Sequence, residues 1–330
     1  MHGLPLVNAI RDNDPSVQIT WVVEPMPAGI LVRHPSIDRL VVYHRKEGWK
    51  GIRRLHRDLR AGPRLDVTLN LNVYLKSAFP TLLSGAPRRL GFDRARAFDL
   101  VWLASNDRLP SRTRSHTADM FLEFATYLGI PVPEPSWRLN FTERERADQA
   151  VFFGRLDGGP VATIVPASAT IKKDWLADRW ASVANALEHD FGFRVVLAGG
   201  PGEREQAIGR EIAAKSSARI HWAMGDSIRR LAWILEGSKL VLAPDTGPVH
   251  IARALETPVI GLYAHTNPWR VGPWRAYQDL WVDHYTEEGT APDPSNRTPK
   301  WDRMPTITVD EVLTRVERAV ERYAVSERVK

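Results

Sequence analysis

Short apolar runs separated by amphipathic stretches recur along the chain, and they fall into two series. In the first, Val17–Val23, Leu40–Tyr43 and Asp66–Leu71 read as strands, while Leu4–Arg11, Ile52–Leu59 and Tyr74–Leu83 read as the helices between them. Thr117–Leu128 predicts a further helix, stopped by Gly129 and Pro131. Pro131–Trp137 holds three prolines in seven residues, which excludes regular structure and suits an interdomain linker or edge. The second series begins with strand Val161–Val165 and helix Leu176–His189. It continues with strand Arg194–Leu197, helix Glu203–Lys215, strand Ile220–Trp222 and helix Ser227–Leu235. Strand Lys239–Ala243, helix Pro248–Leu255 and strand Pro258–Tyr263 complete it. A looser piece rich in Pro and Asp, Glu287–Pro305, precedes a last helix, Val309–Tyr323, whose Val309, Val312, Leu313, Val316 and Val320 repeat at helical spacing. Strands alternating with helices of this length imply parallel sheets built from βαβ units. The fold class is therefore α/β: two Rossmann-like domains, residues 1–150 and 151–330, with a C-terminal helix.

Length and composition agree with that division. A chain of 330 residues is long for one core and comfortable for two. No apolar run approaches the ~20 residues that span a bilayer, and the first ten residues lack the charged start and apolar stretch of a signal peptide. There is no cysteine, which excludes disulfides, thiolate metal sites and cysteine nucleophiles and fits a reducing cytoplasm. The net charge of +6 is unevenly placed. Between Lys46 and Arg64 lie Lys46, Lys50, Arg53, Arg54, Arg57, Arg60 and Arg64 against only Glu47 and Asp58; Arg88, Arg89, Arg94 and Arg96 follow, then Arg112 and Arg114. Such groups suit a solvated surface, or an anionic substrate or membrane. No nucleic-acid motif accompanies them, so no nucleic-acid partner is expected.

Three loops carry candidate chemistry, each at the carboxyl end of a predicted strand, where open parallel sheets bind ligands. Asp245-Thr246-Gly247 leads into the helix at Pro248, whose amino-terminus offers N–H groups and partial positive charge. Thr246 or Asp245 suits the cap, Gly247 admits a ligand to the backbone, and His250 lies about one turn on. A well-capped structural helix is the alternative. Pro166–Trp175 supplies hydroxyls at Ser168 and Thr170 and an ammonium at Lys173, a set that suits a diphosphate or an ordinary polar loop. Gly199-Gly200-Pro201-Gly202 allows a tight turn into a helix opened by Glu203, which suits ribose hydroxyls or a cap. Its spacing is neither a dinucleotide fingerprint nor a phosphate loop of the Walker type. Together the three loops describe one nucleotide site.

At this point the sequence resembles glycosyltransferase family 9, the lipopolysaccharide heptosyltransferases. The resemblance rests on Asp245-Thr246-Gly247, His250, Pro258-Val259-Ile260-Gly261-Leu262-Tyr263 and Thr266-Asn267-Pro268. It extends to Leu71-Asn72, Lys76-Ser77 and Ser84–Phe92 in the first domain. It implies a GT-B fold, an ADP-activated heptose donor, inversion at the anomeric carbon with no metal or other cofactor, and a phosphorylated, lipid-linked inner-core acceptor. Carried over by residue, it assigns the donor to Ser168, Lys173, Glu203, Asp245, Thr246, Gly247 and His250, with Lys173 and His250 catalytic. The acceptor falls to Lys76 with Arg88 and Arg89. The implied location is cytoplasmic, with peripheral contact at the inner-membrane face. Ala264-His265-Thr266 stands where the family has Gly-Pro-Thr, and Asn70, Asn72 and Val73 where it has Asp-Gln-Gly. Met1-His2-Gly3-Leu4-Pro5 resembles the residues just after the family's Gly-Asp loop, whose aspartate is the general base. The expectation is therefore a start assigned too late, the first strand and the base lying upstream. A binding-only protein lacking its base and a sugar-nucleotide 2-epimerase are the alternatives.

Overall fold

The computed structural model describes the chain except for Pro133, Asp226 and 326–330. It divides into two compact units, His2–Asn140 and Phe141–Lys330. The boundary lies ten residues before the expected one, because the helix Glu143–Gly154 is built into the second unit.

In the first unit, β1 (Thr20–Val23) pairs in parallel with β2 (Arg39–Val42). A separate parallel ladder runs in the order β3 (Val67–Leu69), β4 (Arg88–Gly91), β5 (Asp107–Arg108). Five helices accompany them: α1 (Leu4–Asn13), α2 (Pro25–Leu31), α3 (Trp49–Arg60), α4 (Ala78–Leu83) and α5 (Thr117–Tyr127). α2 escapes a hydropathy reading because it contains two prolines. Both sit in its first turn, where the missing N–H costs nothing. β4 is hidden by its first two residues, Arg88 and Arg89. Its buried half, Leu90 and Gly91, is packed so closely that a Cβ on Gly91 would lie 2.2 Å from the Ser105 hydroxyl. The Pro131–Trp137 stretch is not a free tether. Asn8 Nδ2 donates to the Ser136 carbonyl at 2.6 Å, and His34 Nε2 donates to the Trp137 carbonyl at 2.7 Å. Pro133, within that stretch, lies outside the described residues.

The second unit is one six-stranded parallel sheet, β11-β10-β9-β6-β7-β8. Its strands are β6 (Val161–Ile164), β7 (Arg194–Gly199), β8 (Ile220–Met224), β9 (Leu240–Pro244), β10 (Val259–Tyr263) and β11 (Val282–Asp283). β6, β9 and β10 are buried at every position, as strands covered by helices on both faces must be. The helices are α6 (Glu143–Gly154), α7 (Ala177–His189), α8 (Glu203–Lys215), α9 (Ile228–Gly237), α10 (Gly247–Ala254), α11 (Pro268–Val271) and α12 (Val309–Tyr323). α12 opens with a Thr308/Glu311 capping box and buries Val312, Val316 and Ala319 in the main core. The chain leaves β6 towards β7 and β8, then returns to β9 on the other flank of β6. The crevice beyond the carboxyl ends of β6 and β9 is thus a topological switch point.

Two predictions arise here. α6 is fastened to α9 by Glu145–Arg229 and Arg146–Glu236 ion pairs and by Gln149 donating to the Trp233 carbonyl at 2.6 Å. The hydrogen bond from Arg229 brings the Glu145 carboxyl from 4.5 down to about 2. That contribution is full above pH 4.5 and fades as acid approaches the folded-state value. Glu145→Gln is therefore expected to cost about 1–2 kcal/mol near neutrality, after allowance for partial exposure. Urea unfolding should show the gap to the parent protein closing as the pH falls. In β10, a Cβ on Gly261 would lie 2.4 Å from the Tyr263 ring, which is fully buried. Gly261→Ala should lower the unfolding free energy by about 1–3 kcal/mol, read as a lower thermal midpoint.

Candidate functional site

The site is built at the switch point by the loops that follow β6 and β9. The first is held rigid from within. Asp174 Oδ1 accepts the Ser168 N–H at 2.9 Å, and the Arg204 guanidinium, on α8, donates to both Asp174 Oδ2 and the Ser168 carbonyl. The buried Ser168 hydroxyl donates to the Thr170 carbonyl at 2.7 Å. A single 3-10 turn, Ile171–Lys173, then carries two consecutive lysines. Lys172 lies over the Trp301 ring, 3.4 Å from its centre, and Lys173 turns towards β9.

Lys173 meets Asp245 there. Its Nζ lies 2.7 Å from Asp245 Oδ2 and 3.3 Å from the Asp245 carbonyl. The Thr266 hydroxyl, at the end of β10, donates to the same Oδ2 at 2.6 Å, and His250 Nε2 is 3.9 Å from Oδ1. Burial alone would push the Asp245 carboxyl up. Lys173, His250 and the Thr266 hydroxyl outweigh it and hold the group below the usual carboxylate range. Asp245 is therefore an ionised carboxylate with acceptors only, already occupied by cationic and hydroxyl donors. It sets the position of Lys173 rather than offering a donor to an anion. An ammonium has three N–H donors, and the bonds to Asp245 leave at least one for the cavity.

Thr246 caps α10 through its backbone, and its hydroxyl makes no capping bond. Nothing lies within 4 Å of where a Cβ would stand on Gly247, so the start of the helix is open to a ligand. Ser168, Thr170, Lys173, Thr246, Gly247 and His250 all line one cavity of about 330 Å³, with Arg270 of α11 contributing a further cation to its wall. Hydroxyls, an ammonium, a guanidinium and a helix amino-terminus around one space, with Asp245 also on its wall, can hold a polyanion.

The structure brings together Ser168, Lys173, Asp245, Thr246, Gly247 and His250 but does not bring Glu203 to this wall. Glu203 opens α8 and is exposed. It is Glu205 that shapes the glycine loop, accepting the Gly200 N–H at 2.6 Å. In the first unit Lys76 lies 3.7 Å from Glu24, which Arg45 also approaches at 3.3 Å. Arg88 pairs with Asp107 at 2.7 Å, and Arg89 donates to the Ala104 and Ala86 carbonyls at 3.0 Å, so both brace β4. Sequence reasoning passed over Arg204, Asp174, Thr266 and Arg270. Asp174 and Thr266 stood in segments already singled out.

Residues 52–295 match the model of a family described as glycosyltransferase family 9 (heptosyltransferase). The lipopolysaccharide core heptosyltransferase OpsX of Haemophilus influenzae is 34% identical over 293 residues, covering 87% of this chain and 81% of that protein. Lipopolysaccharide heptosyltransferase 1 of Escherichia coli K12 is 26% identical over 82% and 86% of the two chains. Among solved structures, a glycosyl transferase family 9 protein from Veillonella parvula superposes with a TM-score of 0.81 at 21% identity, covering 97% and 93%. The E. coli heptosyltransferase WaaC with ADP superposes at 0.73 and 22%, with the same coverage.

Proposed function

Because this chain belongs to glycosyltransferase family 9, the heptosyltransferases, and is a glycosyltransferase of the α/β, GT-B type, we propose that it moves a heptose or similar sugar from an ADP-activated donor to the lipopolysaccharide inner core. The reaction inverts the anomeric carbon and uses no metal. The acceptor is an anionic, lipid-linked saccharide, and transfer takes place at the cytoplasmic face of the inner membrane. The observation that carries this reading is the Lys173–Asp245 pair at the switch point, beside the open amino-terminus of α10. Solved WaaC relatives carry ADP and ADP-2-deoxy-2-fluoro heptose, which supports an ADP-linked donor here.

In the proposed reaction the acceptor oxygen attacks the anomeric carbon from the face opposite the diphosphate. Its proton passes to a carboxylate base. The bond between the anomeric carbon and the phosphate oxygen breaks, and its electron pair leaves with the diphosphate. Lys173, His250 and the first turn of α10 receive that growing charge, while Thr246 and Ser168 line the diphosphate. Lys76 faces the acceptor's acidic groups.

Calorimetry with ADP, together with a transfer assay using ADP-heptose and a heptose-free inner-core acceptor, tests this. ADP binding with an inverted glycosidic product that forms in excess EDTA is the expected result. Conversion of donor without acceptor, or ADP binding with no transfer, would overturn it.

A further inference from the structure

The loop after β10 carries a guanidinium, Arg270, and meets the Pro- and Asp-rich segment that follows β11. That segment, residues 286–303, has no helix or strand, yet it is pinned as a strap. Asn267, 2% exposed, donates from Nδ2 to the Asp293 carbonyl at 2.7 Å and to the Asn296 carbonyl at 3.0 Å. The His265 carbonyl accepts the Lys300 N–H at 3.0 Å, and His265 Nδ1 donates to the Lys300 carbonyl at 2.7 Å. The Tyr285 hydroxyl donates to the Thr298 carbonyl at 2.8 Å, and Glu287 pairs with Lys300 and Arg303. Past these anchors Trp301 lies under Lys172. The strap thus ties the loop after β10 to the loop after β6, the two loops on either side of the start of α10. α11 is only four residues long, too short to hold its own shape. Asn267 Oδ1 caps it by accepting the Trp269 N–H at 3.0 Å, so one buried amide fixes both the helix and the strap. What this holds in place is Arg270, on the cavity wall.

A cavity of about 330 Å³ is at the small end for a ligand site and takes only part of a nucleotide-sugar. Among the described residues, its wall comes from the loops after β6, β9 and β10 and not from those after β7 and β8. In the sheet, β10 and β7 stand on opposite sides of the β9–β6 pair. The β7–β8 side ends in close apolar packing, where a Cβ on Gly199 would lie 2.9 Å from the Met224 methyl, and such a surface suits a base. The β10 side ends in Thr266, Asn267 and Arg270, groups that suit hydroxyls. With the diphosphate at the start of α10 between the two, the sugar falls on the β10 side. We propose that Arg270 reads the donor sugar, its planar fork donating to two adjacent hydroxyls, and that Asn267 is the positioning residue that aims it. This rests on the preceding reading that the donor is an ADP-sugar.

Calorimetry of the full chain without acceptor tests it, using ADP, ADP-heptose and ADP-heptose analogues that each lack one sugar hydroxyl. The parent should bind at least one analogue about tenfold or more weakly than ADP-heptose, the cost of losing a hydrogen bond from a charged donor. In Arg270→Ala that discrimination should fall to about twofold, with ADP affinity within about threefold of the parent. Arg270→Lys keeps the charge and loses the fork, so it should behave like Arg270→Ala. Asn267→Ala should weaken discrimination at the same hydroxyl while ADP still binds, which a loss of stability alone would not do. Equal loss of ADP and ADP-heptose affinity in Arg270→Ala, or full recovery in Arg270→Lys, overturns the proposal, since the guanidinium would then serve the diphosphate as a charge. So does unchanged discrimination in Arg270→Ala, including the case in which only the Michaelis constant for the acceptor rises. A parent that binds neither ADP nor ADP-heptose refutes the function and this assignment with it. A parent that binds both and accepts every analogue equally refutes this assignment alone.

Discussion

Replacing Lys173 with alanine should cut the turnover number for sugar transfer by about 10²–10³-fold, the usual cost of removing one pre-placed donor from a developing anion. The size follows from where Lys173 stands. Its ammonium is held 2.7 Å from Asp245, with the loop behind it braced by Asp174 and Arg204, so little rearrangement is needed when charge moves onto the diphosphate. The diphosphate of the intact donor already carries most of its charge before the bond breaks, so donor affinity should fall by only about tenfold or less. Steady-state kinetics with calorimetry of a non-transferable ADP-sugar separate the two effects. A fall in affinity as large as the fall in turnover would mean that Lys173 merely binds, and near-normal turnover would sink the assignment. Lys172→Ala is the internal control, because its ammonium lies over Trp301.

How much of this was legible in the sequence depended on burial. β6, β9 and β10 are buried throughout and therefore read as unbroken apolar runs; α8 and α12 carry helical periodicity from end to end, and the structure places them at Glu203–Lys215 and Val309–Tyr323 as read. The first unit was harder to read. β4 begins with two arginines whose side chains serve Asp107 and backbone carbonyls, so its hydropathy looks like a surface patch. α6 has no buried face of its own and joins the second unit through ion pairs, which leave no hydrophobic period to read. At the site, sequence position told that Ser168, Lys173 and Asp245 each follow a strand. It could not tell that β6 and β9 are neighbours, and only that pairing puts Lys173 on Asp245 across 72 residues of chain. The same limit explains Glu203. The first residue of a helix is easy to name from sequence, but the glycine loop folds back on Glu205.

Replacing Asp245 with alanine should lower both stability and activity, and the double variant with Lys173→Ala shows why. Removing one member of a buried ion pair leaves the other charge without compensation, at about 3–5 kcal/mol when both are fully enclosed. The Lys173 side chain is 22% exposed and can turn its ammonium towards water, so about 2–3 kcal/mol is expected here. Thr266 adds to that by losing the acceptor of its hydroxyl. Removing both members leaves neither charge behind. The double variant should therefore be more stable than the sum of the single losses requires, while its turnover falls no further than that of Lys173→Ala alone. Acid supplies an independent check. The Asp245 carboxyl is held below the ordinary carboxylate value, so the pair's contribution is complete at neutral pH and is lost only as the pH falls below the ordinary carboxylate range. Urea unfolding across that range should show Asp245→Asn lacking this part of the acid limb. Turnover that is additive in the double variant would mean that Asp245 acts on the donor by itself. Turnover that is not additive makes it a positioning residue, which is what a carboxylate surrounded by Lys173, Thr266 and His250 is built to be.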